Sequence, residues 1–326
     1  MSQETLIAMT DFFCEKQEDI EFIWHGGEPL LAGIDFYGSV VRAQSKWVNA
    51  GRNITNFVQT NAVLVDREWA EFFSRNGFVV GVSLDGTARF HNVTRPFSGG
   101  GPSFDNVMRG ITLLRSAGVF NGVICGVTRY NHAYPEELFN FFISEGIKKL
   151  KFSRIKDIGN RINLGGLVLS PEEFYNFLIK IFDLWIDLDD PEVEIRDIQS
   201  VVNVLLGGRC RECIYLGGCD RFVTVYGDGS VYACDSFPQN NNLYFGNIRD
   251  ISPTAPDPPN LLRFHDTIMR RRERCSSCEW GYLCRGGCAK DNYSDLTSRE
   301  PLPEVCAALR MYFGHIFARL KFFGLV

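Results

Sequence analysis

The spacing of the cysteines toward the C-terminal end constrains this chain more than any other feature. Cys275, Cys278, Cys284 and Cys288 fall in RERCSSCEWGYLCRGGC, with Cys213, Cys219 and Cys234 upstream and Cys306 downstream. Thiolates this close together, in a tract where Gly286 and Gly287 permit tight turns, can wrap a soft metal centre. Together they fill two four-cysteine sites, and spacing alone leaves zinc and iron–sulfur both open. Nine of the eleven cysteines lie between 210 and 306, and the chain does not begin with an export signal. A metal-binding role therefore fits better than a disulfide scaffold. Cys14 stands alone in an expected helix and Cys125 in the apolar run GVICGVT, and each reads as a buried structural thiol. Cys210 forms a CxxC with Cys213, and Cys213 is the favoured ligand of the two.

Charge narrows the function classes. Lys and Arg number 34 against 39 Asp and Glu, a net charge of -5, so no general basic field exists for nucleic acid or anionic lipid. The local run RRRER at 270 to 274 reads as a solvated helix face. No apolar run is long enough to span a bilayer, and the expectation is a soluble, cytoplasmic protein with no nucleic-acid or membrane partner. A length of 326 residues suggests about two domains.

From residue 20 onward, short β-branched or aromatic runs alternate with amphipathic stretches. Strands are expected at 20 to 24, 53 to 60, 78 to 84, 122 to 128 and 149 to 155. Helices are expected at 35 to 48, 66 to 76, 104 to 117, 134 to 145 and 171 to 187, the last with Ser170 as cap and Glu173 completing a capping box. Five strands alternating with helices imply parallel βα units, with the default site at the C-terminal strand ends. A helix at 3 to 13, with Ser2 as its cap, has no strand ahead of it; it is either a decorative start or the remainder of a lost first βα unit. A helix between 188 and 210 ends at Gly207-Gly208 and marks a boundary, giving expected domains 1–207 and 208–326. Beyond it, FVTVYGDGSVYAC reads as a hairpin turning at Asp228-Gly229, 251 to 259 as a loop, and 261 to 272 and 303 to 320 as helices.

HGGEP at 25 to 29 follows the first strand directly. Its glycines allow close approach of a small ligand, Glu28 supplies an anion, and Pro29 fixes the exit. Binding of an amino-acid-like ligand through Gly26, Gly27 and Glu28 is favoured over a plain turn, with His25 lining the pocket. Gln59, Thr60 and Asn61 end the second strand, and Ser83, Asp85 and Gly86 end the third. Polar residues at the same end of successive parallel strands converge on one mouth.

At these residues a family resemblance becomes specific. Cys219-x9-Gly229-x4-Cys234, then Cys275-x2-Cys278-x5-Cys284-x3-Cys288, then Cys306 resembles the SPASM domain of radical S-adenosylmethionine (SAM) peptide-modifying enzymes. HGGEP resembles their SAM amino-group motif, and QTN and SLDG match the ends of the next core strands. Nearly the whole chain is covered, and the similarity is strongest to anaerobic sulfatase-maturating enzymes. The fold implied is α/β: a partial (β/α)6-type radical SAM barrel lacking its first βα unit, plus the cysteine-rich SPASM domain.

The resemblance implies SAM and two auxiliary [4Fe–4S] clusters with interleaved ligands: Cys213, Cys219, Cys234 and Cys288 for the first, Cys275, Cys278, Cys284 and Cys306 for the second. It assigns SAM contacts to His25, Gly26, Gly27, Glu28, Asn61 and Ser83, and the general base to Asp235. Asp235 beside a cysteine is equally able to hydrogen-bond its hairpin. The family reaction begins when a reduced cluster cleaves SAM to methionine and a 5′-deoxyadenosyl radical, which takes a hydrogen from a peptide side chain. A protein or peptide substrate and a reductant such as flavodoxin or ferredoxin are the implied partners.

One departure stands against this match. The family's CxxxCxxC loop, which holds the SAM-binding cluster, occurs nowhere in these residues. The gap coincides with the missing first strand, and the expectation is an N-terminally incomplete form of an ordinary enzyme, unable as it stands to cleave SAM; a third [4Fe–4S] cluster is expected only with that motif. Two other readings remain: a maturase forming thioether or carbon-linked crosslinks in ribosomal peptides, and a non-catalytic iron–sulfur or peptide-binding scaffold.

Overall fold

The computed structural model describes residues 1–155, 166–210, 212–217, 219, 222–236, 241–291 and 301–326. The chain opens on helix α1 (Gln3–Lys16), where the Ser2 hydroxyl accepts the Thr5 N–H and stands in for a missing intrahelical partner. Strand β1 (Asp19–Trp24) follows, then α2 (Ile34–Asn49), β2 (Asn53–Thr60), α3 (Arg67–Arg75), β3 (Val79–Ser83), α4 (Ala88–Thr94), α5 (Phe104–Ser116) and β4 (Phe120–Val127). Next come α6 (Pro135–Ser144), β5 (Lys149–Arg154), α7 (Pro171–Leu188), β6 (Glu194–Ile195) and α8 (Arg196–Leu205). The expected capping box opens α7: Ser170 accepts from Glu173 N while the Glu173 carboxylate accepts from Ser170 N.

Strands β1 to β6 form one parallel six-stranded sheet in sequence order. An order that never reverses is that of a singly wound, barrel-type α/β core rather than a doubly wound sheet. The sequence reading finds five of these strands and misses β6, whose two residues are too few to show a period. No strand precedes α1 among the described residues.

By backbone contacts the chain parts into two compact units, each assembled from both halves of the sequence. The first comprises 1–84, 91–124 and 223–261. Its core gathers around Tyr37, which is 1% exposed and packs edge-on against Trp24, Trp69, Phe73 and Phe78. Helix α1 is tied to α2 by Trp47 Nε1 donating to Asp11 at 2.7 Å, and a buried amide pair, Gln44 and Asn56, exchanges hydrogen bonds of 3.0 and 2.7 Å. The unit also holds a small antiparallel sheet of β7 (Thr224–Val225), β8 (Ser230–Tyr232) and β9 (Tyr244–Asn247), with the expected turn at Asp228-Gly229.

The second unit comprises 85–90, 125–222 and 262–326. It contains short helix α9 (Cys213–Leu216), the basic helix α10 (Pro259–Arg274), whose first residues belong to the other unit, α11 (Gly281–Cys284) and the long α12 (Pro303–Phe322). Its aromatic core joins Phe152 to Phe177, Tyr175 to Tyr312 and Tyr215 to Phe313. No described helix is long and apolar enough to cross a membrane.

Candidate active site

The loop after β1 is built around one carboxylate. Glu28 Oε1 accepts from Leu30 N at 3.0 Å and from the Thr60 hydroxyl at 2.6 Å, while Oε2 accepts from Asn61 N at 2.8 Å. HGGEP at the end of β1 is thereby fastened to the end of β2, its neighbour in the sheet. Tyr37 supports the loop from below by donating to the Pro29 carbonyl at 3.3 Å; burial, with the Glu28 charge adding to it, pushes its phenol far above the usual tyrosine range. Gly26 and Gly27 have φ of 96° and 59°, and a Cβ built on either would meet nothing within 4 Å. The backbone there is thus open to a ligand and adopts a conformation that side-chain-bearing residues disfavour.

The ends of β2 and β3 also meet, and Asn61 closes a local turn. Gln59 Nε2 donates to the Ser83 hydroxyl at 3.2 Å, and Asn61 Oδ1 accepts from Val63 N at 3.0 Å. The exposed His25 Nδ1 lies 3.8 Å from Asp235 Oδ2, a pairing that the sequence reading misses because 210 residues of chain separate them. The Cys234 thiol donates to Asp235 Oδ1 at 3.2 Å, and burial followed by the Asp235 charge pushes that thiol up to about 12. One unit therefore holds His25, Gly26, Gly27, Glu28, Asn61, Ser83, Cys234 and Asp235.

The other seven cysteines expected as metal ligands fall in the second unit as two sets. Burial and then the charges of Cys275 and Cys306 push Cys284 up to about 12, with Cys278 contributing further, and Cys306 is raised by burial and then by Cys275. Cys219 is pushed up to about 11, by burial first and also by Cys288 and Cys213. Only neighbouring groups can act on one another in this way, so 275, 278, 284 and 306 form one neighbourhood and 213, 219 and 288 another. Among the described residues no three His, Cys, Asp or Glu side chains converge closely enough to hold an ion. The donor chemistry nonetheless fits a soft metal, since burial makes Cys219, Cys284 and Cys306 resist ionisation and metal coordination takes up the charge of a thiolate.

Local structure explains these groupings. Gly281 sits against the Cys275 carbonyl so closely that a Cβ would lie 2.2 Å from its oxygen, which closes the turn between Cys275 and Cys284. Arg272 on α10 donates to the Gly217 carbonyl at 2.6 Å, tying the helix that leads into Cys275 to the turn after α9. Glu212, which immediately precedes Cys213, is 3% exposed and ion-paired to Lys151 and, at 2.7 Å, to Arg196. Burial drives the Glu212 carboxyl up, but Lys151 and Arg196 more than offset it and hold the group below the usual carboxylate range. Burial raises its neighbour Asp197 to about 6, and that carboxylate accepts Phe152 N at 2.9 Å. Cys210 stands apart, half-buried, its thiol donating to the Glu212 carbonyl at 3.5 Å.

Comparison with known proteins places this architecture. Residues 1–142 match the family model described as the radical SAM superfamily. The serine-type anaerobic sulfatase-maturating enzyme of Bacteroides thetaiotaomicron is 31% identical, over 99% of this chain and 82% of its own length. The cysteine-type enzyme of Clostridium perfringens is 32% identical, over 94% of this chain and 84% of its own. The chain belongs to the anaerobic sulfatase-maturating enzyme family. Among solved structures, native anSMEcpe with bound AdoMet and Cp18Cys peptide superposes with a TM-score of 0.87 at 29% identity, covering 98% of this chain and 90% of that one. SuiB of Streptococcus suis, at 15% identity and a TM-score of 0.57, shares the fold. As a member of the sulfatase-maturating family, this chain is a radical SAM oxidoreductase that uses SAM and iron–sulfur chemistry, and its sheet is a partial radical SAM barrel with a SPASM-like extension.

Proposed function

We propose that this enzyme oxidises a Cys or Ser side chain of a protein or peptide to formylglycine. The observation that carries the reading is Asp235, an exposed carboxylate 3.8 Å from His25 at the HGGEP loop. Both serine-type and cysteine-type maturases occur among the relatives, and one similar structure contains a peptide, which supports a peptide substrate here.

The oxidation removes two hydrogens from a CH2–OH or CH2–SH group. Bound SAM and iron–sulfur clusters supply hydrogen-atom abstraction at the β-carbon and a path for the remaining electron. The hydroxyl or thiol proton goes to Asp235, whose carboxylate lies 3.8 Å from His25 Nδ1. Serine yields the aldehyde directly; cysteine yields a thioaldehyde that water hydrolyses with loss of hydrogen sulfide.

The same proposal places SAM against His25, Gly26, Gly27, Glu28, Asn61 and Ser83. With Glu28 committed to Leu30, Thr60 and Asn61, its part is to hold the loop, leaving the glycine backbone to meet the ligand. Two auxiliary [4Fe–4S] clusters are assigned, one to Cys275, Cys278, Cys284 and Cys306, the other to Cys213, Cys219 and Cys288 with Cys234 as the fourth ligand that the family pattern implies. Residues 1–207 supply the SAM core and 208–326 the auxiliary domain, with flavodoxin or ferredoxin as reductant.

These residues contain no CxxxCxxC, so turnover is measured after joining the chain to that segment of a family member. An aldehyde trapped on a Cys or Ser peptide is the expected product. Asp235→Asn lowers its rate about 100-fold or more while SAM and peptide binding hold. An undiminished rate in Asp235→Asn, or no peptide binding, refutes the proposal.

A further inference from the structure

Arg310 has no part in the reaction just described, yet it touches one of the thiol sets. It lies on α12 one helical turn beyond Cys306, so both side chains share a helix face. Its guanidinium donates to Cys278 Sγ at 3.6 Å, and the residue is exposed. Cys278 and Cys306 belong to the set that gathers Cys275 and Cys284. The other set is served differently: Arg271, on α10, acts on Cys219 and is 2% exposed.

We infer that Arg310 raises the reduction potential of an iron–sulfur cluster held by Cys275, Cys278, Cys284 and Cys306. The inference rests on the ligand assignment proposed above. Reduction adds one electron and no proton, leaving the thiolate-bound cluster with one more negative charge. An N–H donor and a fixed positive charge on a ligand sulfur favour that more negative state. Arginine keeps its charge across the whole working pH range, so the bias does not titrate away. Because Arg310 is exposed, salt weakens its long-range charge effect and leaves the hydrogen bond. The outcome is a difference between the two auxiliary sites, with the Arg310 site accepting an electron more readily than it would without this side chain.

The test is a stepwise redox titration of the anaerobically reconstituted chain with a low-potential chemical reductant, followed by electron paramagnetic resonance. Arg310→Gln is expected to lower the midpoint of one cluster by about tenfold in its reduction equilibrium, about 60 mV for a one-electron couple, and to leave the other unmoved. Arg310→Lys, which keeps the charge but loses the planar fork, recovers part of the shift. Arg75→Gln, on the exposed face of α3, moves neither. Unchanged midpoints at full iron content in Arg310→Gln overturn the inference, as does loss of iron from that variant, which makes Arg310 a structural support. If Cys278→Ala keeps all the iron of the parent, the ligand assignment itself has failed, and the iron count distinguishes that from an idle arginine.

Discussion

The Glu28 loop and the cysteine sets both keep ionisable groups partly out of water, and they do so by opposite means. Glu28 is one carboxylate answered by two backbone N–H groups and a hydroxyl, all supplied within 33 residues of chain. Its site is complete with protein atoms alone. Each thiol set crowds like groups together, and several of these thiols are driven up by burial and by one another. On the cluster assignment proposed above, the partner that closes those sets is a metal. The Glu28 loop is thus pre-formed by protein contacts alone, whereas the thiol sets, on that assignment, draw folding energy from what they bind.

Removing the metal produces the largest effect that this contrast predicts. Chelation of the reconstituted protein should deprotect backbone amides near Cys275 to Cys288 and at the start of α12, while amides around Leu30 and Asn61 keep their protection in hydrogen exchange. Equal loss of protection at both places would show that the loop also depends on metal. A smaller effect comes from Glu28→Ala, which strands three donors at once. It should cost about 2 kcal/mol in denaturant unfolding and abolish SAM binding with iron content unchanged. Retained SAM affinity would remove HGGEP from the SAM site.

Much of this contrast is legible in the residues themselves. The parallel strands of the core announce themselves through β-branched runs, and β6 escapes because Glu194 and Ile195 make too short a run to read. Cysteine spacing marks the thiols, and the fold brings further cysteines to act on Cys284 and Cys219. Side chains that meet only through the fold leave no local signal. Lys151 and Glu212 pair across 61 residues and His25 and Asp235 across 210, and nothing near either end of each pair announces its partner. Arg310 is an intermediate case: its place one turn after Cys306 marks a shared helix face, but its hydrogen bond to Cys278 emerges only with the fold.

The most direct measurement is the iron and acid-labile sulfide content of the anaerobically reconstituted chain and of two single variants. The parent should hold iron and sulfide for two four-iron clusters. Cys288→Ala should lose one cluster and loosen the other, and Cys210→Ala should lose neither, since its thiol is engaged with the Glu212 carbonyl. Zinc without sulfide in the parent, full iron in Cys288→Ala, or loss of a cluster from Cys210→Ala would contradict the assignment.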